Sequence, residues 1–340
     1  MVNVGIIGAG YWGKNLIRNF NELKDATILK VCDSDKSKLE NIISNKQYTG
    51  ITGTTNADDI FTDKKIDAVV IATQTNTHFE LAKNALLKGK HVFVEKPLTY
   101  DPVESLCLTD IAEQSDKKLM VGHIFLYNNA VKYMKDNIKD IGDIRYFHAQ
   151  RNGLGPIRND CNAMWDLTPH DISMFNYLTD SKPTHVIANG KTYVQKDKGI
   201  EDAVSLSLDY PNNVMANVNA SWIDPVKTRK MTVVGDKKMI VFDDMSSDKI
   251  TVYNKGVDYQ PKTGDFSAFQ MSFRDGDIIK PKINYNEPLK DECQAFIDSI
   301  KTGEDSITNG KNGYEVVAVL DAAQRSLKSG QKEEIKYYDI

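Results

Sequence analysis

Val2-Asn3-Val4-Gly5-Ile6-Ile7-Gly8-Ala9-Gly10-Tyr11-Trp12-Gly13 stands at the head of the sequence. Its apolar, β-branched first half predicts a strand, Val2–Ile7. Gly8, Gly10 and Gly13 then fall in the spacing Gly-x-Gly-x-x-Gly. Leu16, Ile17, Phe20 and Leu23 follow on one helical face. Thr27–Cys32 reads as a second strand, and Asp33 stands 20 residues after Gly13. Strand, glycine turn, helix, strand and acid in this order form the dinucleotide-binding fingerprint. Gly8 serves the tight turn, Gly10 the approach of a pyrophosphate, and Gly13 the packing of helix on strand. The helix N-terminus offers free N–H groups and the positive end of its dipole. Asp33 is expected to accept the adenosine ribose hydroxyls and to repel a 2′-phosphate. That favours NAD over NADP, while Ser34 and Lys36 nearby keep NADP open.

The alternation continues with strands at Asp67–Ala72, His91–Val94 and Lys118–Gly122, and helices at Phe79–Lys88 and Pro102–Ser115. This predicts a doubly wound parallel sheet whose ligand lies beyond the carboxyl ends of its strands. The loops there carry Thr73, Gln74, Asn76 and His78, then Glu95-Lys96-Pro97, then His123. Tyr11, Trp12, Thr73, Gln74, Asn76, His78, Glu95 and Lys96 join the glycines, Asp33 and Ser34 as the expected cofactor site.

The second half reads differently. Strand-like stretches at Ile144–Gln150, His185–Val194, Ala203–Tyr210, Val214–Trp222, Lys230–Gly235, Met239–Asp243 and Ile250–Tyr253 follow one another with short turns. That predicts a mainly antiparallel sheet. Lys255–Asn286, rich in Gly, Pro, Asp and Asn, reads as a long irregular loop. Helices at Leu289–Lys301 and Gly313–Lys328 follow. The fold class is therefore α/β: an N-terminal Rossmann domain over 1–122, then an α/β domain with a large open sheet over 123–340. The last helix is expected to pack back on the first domain.

The chain resembles the Gfo/Idh/MocA oxidoreductases over nearly its whole length. The resemblance rests on Gly8–Gly13, Ile71-Ala72-Thr73 with Asn76 and His78, Val94-Glu95-Lys96-Pro97 and Trp165-Asp166-Leu167-Thr168-Pro169-His170-Asp171. Leu289–Ser326, with Phe296, Gly303, Gly313 and Ala322-Ala323, looks like the family's closing helices. The resemblance implies an NAD-dependent dehydrogenase in which Lys96 is the catalytic lysine and His170 the acid/base. Homodimers or homotetramers formed through the open sheet are implied as well. Two positions depart from the family pattern. Gln74 stands where many members have proline, and Phe125-Leu126-Tyr127-Asn128-Asn129 lacks the arginine that many carry there.

Oxidising an alcohol requires a base for the hydroxyl proton and a cation or donor for the oxygen as it becomes a carbonyl. Thr168 looks like an N-cap and Pro169 like a first helical residue, which puts His170 in a first turn where the dipole disfavours imidazolium. Asp166, four residues earlier, is within reach to orient the ring. A metal site from Asp166, His170 and Asp171 lacks a second histidine at ligand spacing, so no metal is expected.

The segment from Arg151 to Asn162 is polar and glycine-punctuated. Arg151 and Arg158 suit a diphosphate, while Asp160 and Asn162 suit sugar hydroxyls; Tyr127 and Asn128 are further candidates for sugar contact. The segment, with the Trp165–Asp171 block, looks like the nucleotide-sugar branch of the family, the 3-dehydrogenases of UDP-N-acetylglucosamine and its uronate. A partner aminotransferase would consume their 3-keto products. A polyol or inositol dehydrogenase, or a 3-keto-deoxysugar nucleotide reductase, stays open as an alternative. So does a non-catalytic NAD-binding sensor, although Lys96, Asp166 and His170 together argue against it.

Composition narrows the classes further. Of the 340 residues, 41% are hydrophobic and 26% charged, with a net charge of -4, so a disordered or fibrous chain is excluded. The acidic balance argues against nucleic acid as partner. No apolar run is long enough to span a bilayer. Cys32, Cys107, Cys161 and Cys293 form no Cys-x-x-Cys pair, and the first basic residue is Lys14. A reducing, cytoplasmic setting is expected.

Overall fold

Strands buried on both faces must be apolar at every position, and the stretches Ala68–Ile71 and Leu119–Gly122 of the first sheet are built that way. The computed structural model describes residues 1–260 and 270–338. They form two units: 1–127 with 286–321 and 337–338, and Asn128–Tyr285 with Ala322–Lys336.

In the first unit, β1 (Val2–Ile7), α1 (Tyr11–Glu22), β2 (Ala26–Cys32), α2 (Lys36–Ile43), β3 (Thr52–Thr54), α3 (Asp58–Phe61), β4 (Ala68–Ile71), α4 (His78–Leu87), β5 (His91–Glu95), α5 (Pro102–Gln114) and β6 (Leu119–Gly122) alternate along the chain. The six strands pair in parallel in the order β3-β2-β1-β4-β5-β6. Every residue of β4 is buried. The order reverses beside β1, which puts the topological switch point at the glycine turn.

The second unit contains α6 (Asn129–Asp136), β7 (Ile144–Leu154), α7 (Ala163–Leu167), α8 (Pro169–Thr179), β8 (His185–Lys191), β9 (Ala203–Tyr210), β10 (Val214–Ser221), β11 (Ile223–Gly235), β12 (Met239–Asp243), β13 (Ile250–Gln260) and β14 (Gln270–Ile279). Its sheet runs β14-β13-β12-β11-β7-β10-β9-β8 and is closed at one edge by β15 (Glu333–Glu334). All pairs are antiparallel except β10 with β7. Asn212 and Asn213 take positive φ in the β9–β10 turn, as asparagine tolerates.

The chain then adds α9 (Pro288–Thr302) to the first unit and α10 (Gly310–Ser329), whose residues 310–321 belong to the first unit and 322–329 to the second. Phe296 of α9 meets Phe20 and Phe93 edge-on, with centroids 6.4 and 5.8 Å apart, inside the core around β1.

Two expectations are corrected here. Residues 255–260 and 270–279 are not loop but β13 and β14, a long hairpin; 261–269 lie outside the described residues. Their apolar residues, such as the exposed cross-strand pair Val257 and Phe273, are interspersed with charged ones, so no clean alternation betrays them. Lys255 pairs across to Asp275 at 2.7 Å, Arg274 pairs with Asp258, and Gly256 leaves room for the Arg274 guanidinium. Thr168 stands at the N-cap of α8, but its hydroxyl donates back to the Met164 carbonyl at 2.9 Å. Because α7 ends immediately before it, the Thr168 backbone is already helical. The side-chain cap is Asn162, whose Oδ1 accepts from Trp165 N at the start of α7.

Arg151 of β7 lies in the interior and forks onto Asp171 of α8, with Nε–Oδ2 2.6 Å and Nη2–Oδ1 3.1 Å. The bidentate pair fixes the first turn of α8 against the sheet. Removing one partner of a buried pair strands the other charge. We therefore expect Asp171→Ala to cost about 3–5 kcal/mol, and Arg151→Met with Asp171→Leu to cost distinctly less. Urea unfolding of both variants checks this; a near-neutral Asp171→Ala contradicts it.

Candidate active site

The glycine turn is closed by backbone contact. A Cβ on Gly8, whose φ is +100°, would lie 2.4 Å from the Ala72 carbonyl oxygen. One on Gly13 would lie 2.0 Å from the Gly8 oxygen. On Gly10 it would meet nothing within 4 Å. The turn is therefore tight on the side of β4 and open at Gly10, the N-cap of α1, which brings no side chain to cap the helix. An open helix start of this kind fits a phosphate group.

Asp33 closes the turn from β2. Its Oδ2 accepts from Ala9 N at 2.7 Å and its Oδ1 from Asp35 N at 2.9 Å. A carboxylate has further lone pairs, so a ribose hydroxyl can still be held. Lys38 Nζ stands 3.5 Å from Asp33 Oδ1. Ser34, Gln74 and Asn76 are exposed, Thr73 is half-buried, and Tyr11 is the most exposed aromatic of the turn at 86%. Trp12 is partly buried, its ring 6.4 Å from that of Tyr11.

Two residues expected to touch cofactor are turned inward. His78 is buried, with Nδ1 3.0 Å from the Pro97 carbonyl and Nε2 3.3 Å from the Thr73 carbonyl. It ties the loop after β4 to the loop after β5. Glu95 is also buried, and its Oε2 accepts from Lys96 N at 3.2 Å. Burial pushes its carboxyl up to about 7, against the pull of Lys96 and a hydrogen bond from Trp12. His123 sits in the interior beside them, and burial pushes its imidazole down to about 3, helped by the charge of Lys96. Lys96 is half-buried, and its peptide bond to Pro97 is cis.

In the second unit, Asp166 accepts from Arg158 Nη1 at 3.2 Å and from Trp222 Nε1 at 3.1 Å. Arg158 also forks onto Asp160, at 3.0 and 2.6 Å. That pairing holds the Asp160 carboxyl below its usual range and the guanidinium above its own. His170 is half-buried in the first turn of α8, where Ser173 Oγ donates to its carbonyl. Asp160, Arg158, Asp166 and Trp222 thus form one connected group.

Three expected substrate contacts have structural partners instead. Arg151 is committed to Asp171. Asn162 caps α7, and its amide donates to Glu201 Oε2 and Gln324 Oε1. Tyr127 is buried in the core of the first unit, its hydroxyl 3.0 Å from Thr308 Oγ1. The sequence reading missed Trp222 and Lys38. A tryptophan just past a strand end was the available signal for the first; the second carried only charge. Among the described residues no group of three or more His, Cys, Asp or Glu is placed to hold a metal ion, and no helix is long and apolar enough to cross a membrane.

A doubly wound sheet with this turn is the architecture of a dinucleotide-binding domain. The chain belongs to the Gfo/Idh/MocA family: residues 2–123 match the oxidoreductase family with NAD-binding Rossmann fold, and 132–241 match the GFO/IDH/MocA C-terminal domain. NAD is its cofactor, and the glycine turn and Asp33 fit that group. Similar proteins include UDP-N-acetylglucosamine 3-dehydrogenase of Acidithiobacillus ferrooxidans, 27% identical over 93% of this chain and 94% of that one. Inositol 2-dehydrogenase of Rhizobium meliloti is 26% identical over 96% and 97%. The structure of scyllo-inositol dehydrogenase from Lactobacillus casei with bound NAD(H) and scyllo-inositol superposes with a TM-score of 0.81. It covers 98% of this chain and 99% of its own at 19% identity, and so shares the fold.

Gly13→Ala forces α1 away from the Gly8 carbonyl. We expect NADH affinity to fall by at least about tenfold, the equivalent of 1.4 kcal/mol. Fluorescence titration with NADH checks this, and an unchanged affinity would show that the turn does not hold the cofactor.

Proposed function

We propose that the protein oxidises a hydroxyl group of a nucleotide-activated amino sugar at C3, with UDP-N-acetylglucosamine or its uronate as the substrate. The observation that carries the substrate class is the Arg158 group. A partly exposed guanidinium sits with exposed Asp160 in a glycine-punctuated segment, beside Asp166. A diphosphate can take the fork from Asp160, and the freed carboxylate can accept sugar hydroxyls. The similarity to a UDP-N-acetylglucosamine 3-dehydrogenase over nearly the full chain supports the same reading.

The residues that would hold the cofactor are the Gly8–Gly13 turn, the first N–H groups of α1, Asp33, and Thr73 with Gln74. Bound NAD would supply the hydride acceptor. Lys96 is proposed to hold the reacting oxygen with its ammonium and to stabilise it as it becomes a carbonyl. His170 takes the hydroxyl proton. Asp166, fixed by Trp222 and Arg158, supplies the negative charge that favours the imidazolium formed.

A second reading is dehydrogenation of a free polyol such as inositol. The inward turn of Arg151 favours it, because one of the two expected phosphate forks is spent on Asp171. The inositol 2-dehydrogenase likeness is of equal extent. We further propose a cytoplasmic enzyme that self-associates through the exposed sheet face bearing Tyr146, Ile187 and Met215, with an aminotransferase using its product.

The test is NADH formation from NAD with UDP-N-acetylglucosamine, its uronate, dTDP-glucose and myo-inositol, each with a carbonyl trap. A signal on a UDP-sugar is expected. A signal on inositol alone would move the protein to the polyol class. Lys96→Ala and His170→Asn should each lower kcat by about 10²-fold or more, the usual worth of a positioned acid–base or electrostatic group, with NADH binding retained. Full activity in either variant removes that residue from the mechanism.

A further inference from the structure

The first unit buries ionisable groups that the chemistry above does not use. Glu292, on α9, is fully buried, and neither of its carboxyl oxygens has a hydrogen-bond partner among the described residues. Glu95 has Oε2 on Lys96 N, while its buried Oε1 has no partner among them. His123, just past β6, is buried with both ring nitrogens in the same condition. Gly122 stands opposite Glu95 in the β5–β6 register, and a Cβ there would lie 3.0 Å from Glu95 Oε2. The backbone thus makes room for the Glu95 carboxyl inside the sheet's end.

A buried carboxylate that accepts no hydrogen bond is strongly disfavoured, and it neutralises instead. Burial, reinforced by the charge of Glu95, drives the Glu292 carboxyl well above its ordinary range. A neutral carboxylic acid keeps one O–H and needs an acceptor. Glu95 lies two residues after Phe93 on β5 and Glu292 four before Phe296 on α9, and those two rings meet at 5.8 Å; Glu95 Oε1 has no donor among the described residues. We propose that Glu95 and Glu292 are one buried carboxyl pair that shares a single proton, so that one negative charge, not two, lies under the Lys96 turn. The proton rests on Glu292, whose O–H donates toward Glu95 Oε1, directly or across one bound water. Of the two, Glu95 is the one that ionises, against the Lys96 N–H. Both are positioning residues for Lys96.

The surrounding groups fit this assignment. Lys96 follows Glu95 and favours its ionised form. His123, pushed to about 3, stays neutral and does not compete for the proton. Cys293, next to Glu292, is a buried thiol held in its neutral form. Arg18 of α1, paired with Glu287, is a cation that Cys293 feels.

The test is a carbon NMR titration of the intact chain labelled at glutamate carboxyls. One carboxyl should remain protonated through neutral pH, and Glu292→Gln should abolish that signal. Glu95→Gln removes the like charge and should move the Glu292 titration down by about one pH unit or more, the mark of coupled sites. The pair is overturned if all glutamates are ionised at neutral pH, or if Glu95→Gln leaves the Glu292 titration where it was. Should Glu292→Gln fail to fold, Glu292→Met serves for assignment. Wild-type stability against pH gives an independent reading. A carboxyl raised by folding above its ordinary 4.5 takes up a proton on folding, so stability is lost as pH rises toward the folded value. The substituted chain should lose less. The importance of the pair for catalysis rests on the role of Lys96 proposed above. The titration needs neither substrate nor cofactor, so its failure sinks the pair alone, whereas full activity of Lys96→Ala sinks the Lys96 role alone.

Discussion

Three backbones meet at the end of β1, and the rest of the first unit depends on that contact. Gly8, Ala72 and Gly13 approach so closely that a Cβ on either glycine would overlap a carbonyl oxygen. The closure brings α1 against the sheet while leaving Gly10 open. Asp33 locks it from the neighbouring strand by accepting from Ala9 N. The carboxylate proposed to favour NAD therefore also holds the turn in shape.

The loops beyond this turn are held by buried polar groups more than by apolar packing. His78 bridges two loop carbonyls, and Glu95 holds the backbone of Lys96. In the second unit Arg151 pins Asp171, the residue after His170, while Arg158 and Trp222 hold Asp166. In each case a polar residue with a structural partner lies next in sequence, or within a few positions, to a residue proposed to do chemistry. Buried pairs of this kind add less to stability than to a defined geometry, since their desolvation offsets much of their attraction.

That arrangement explains what could be read from the sequence. The Rossmann half was legible because glycine spacing and fully apolar strands each have one physical cause. The second sheet was legible in β7 to β12, where one face is buried and the period is two. It failed at β13 and β14, where Lys255, Asp258, Arg274 and Asp275 pair across strands that have little apolar alternation. Residues 34–66, with α2, β3 and α3, went unread because these elements are short. In the site, the direction in which several of the expected side chains face was not legible. Arginine, asparagine or tyrosine in a polar loop serves a ligand or a helix cap equally well, and only the fold shows that Arg151, Asn162 and Tyr127 face inward. The buried Glu292 was invisible, since an acid in an amphipathic helix reads as solvated.

The central claim is that the Asp33-locked turn makes this an NAD enzyme. Calorimetric titration of the intact chain with NAD and with NADP tests it most directly. The account predicts that NAD binds and that NADP binds at least about tenfold more weakly, a difference of 1.4 kcal/mol from the charge of Asp33 against a 2′-phosphate. Equal or tighter binding of NADP would contradict it, and would give Lys38, 3.5 Å from Asp33, the deciding role instead.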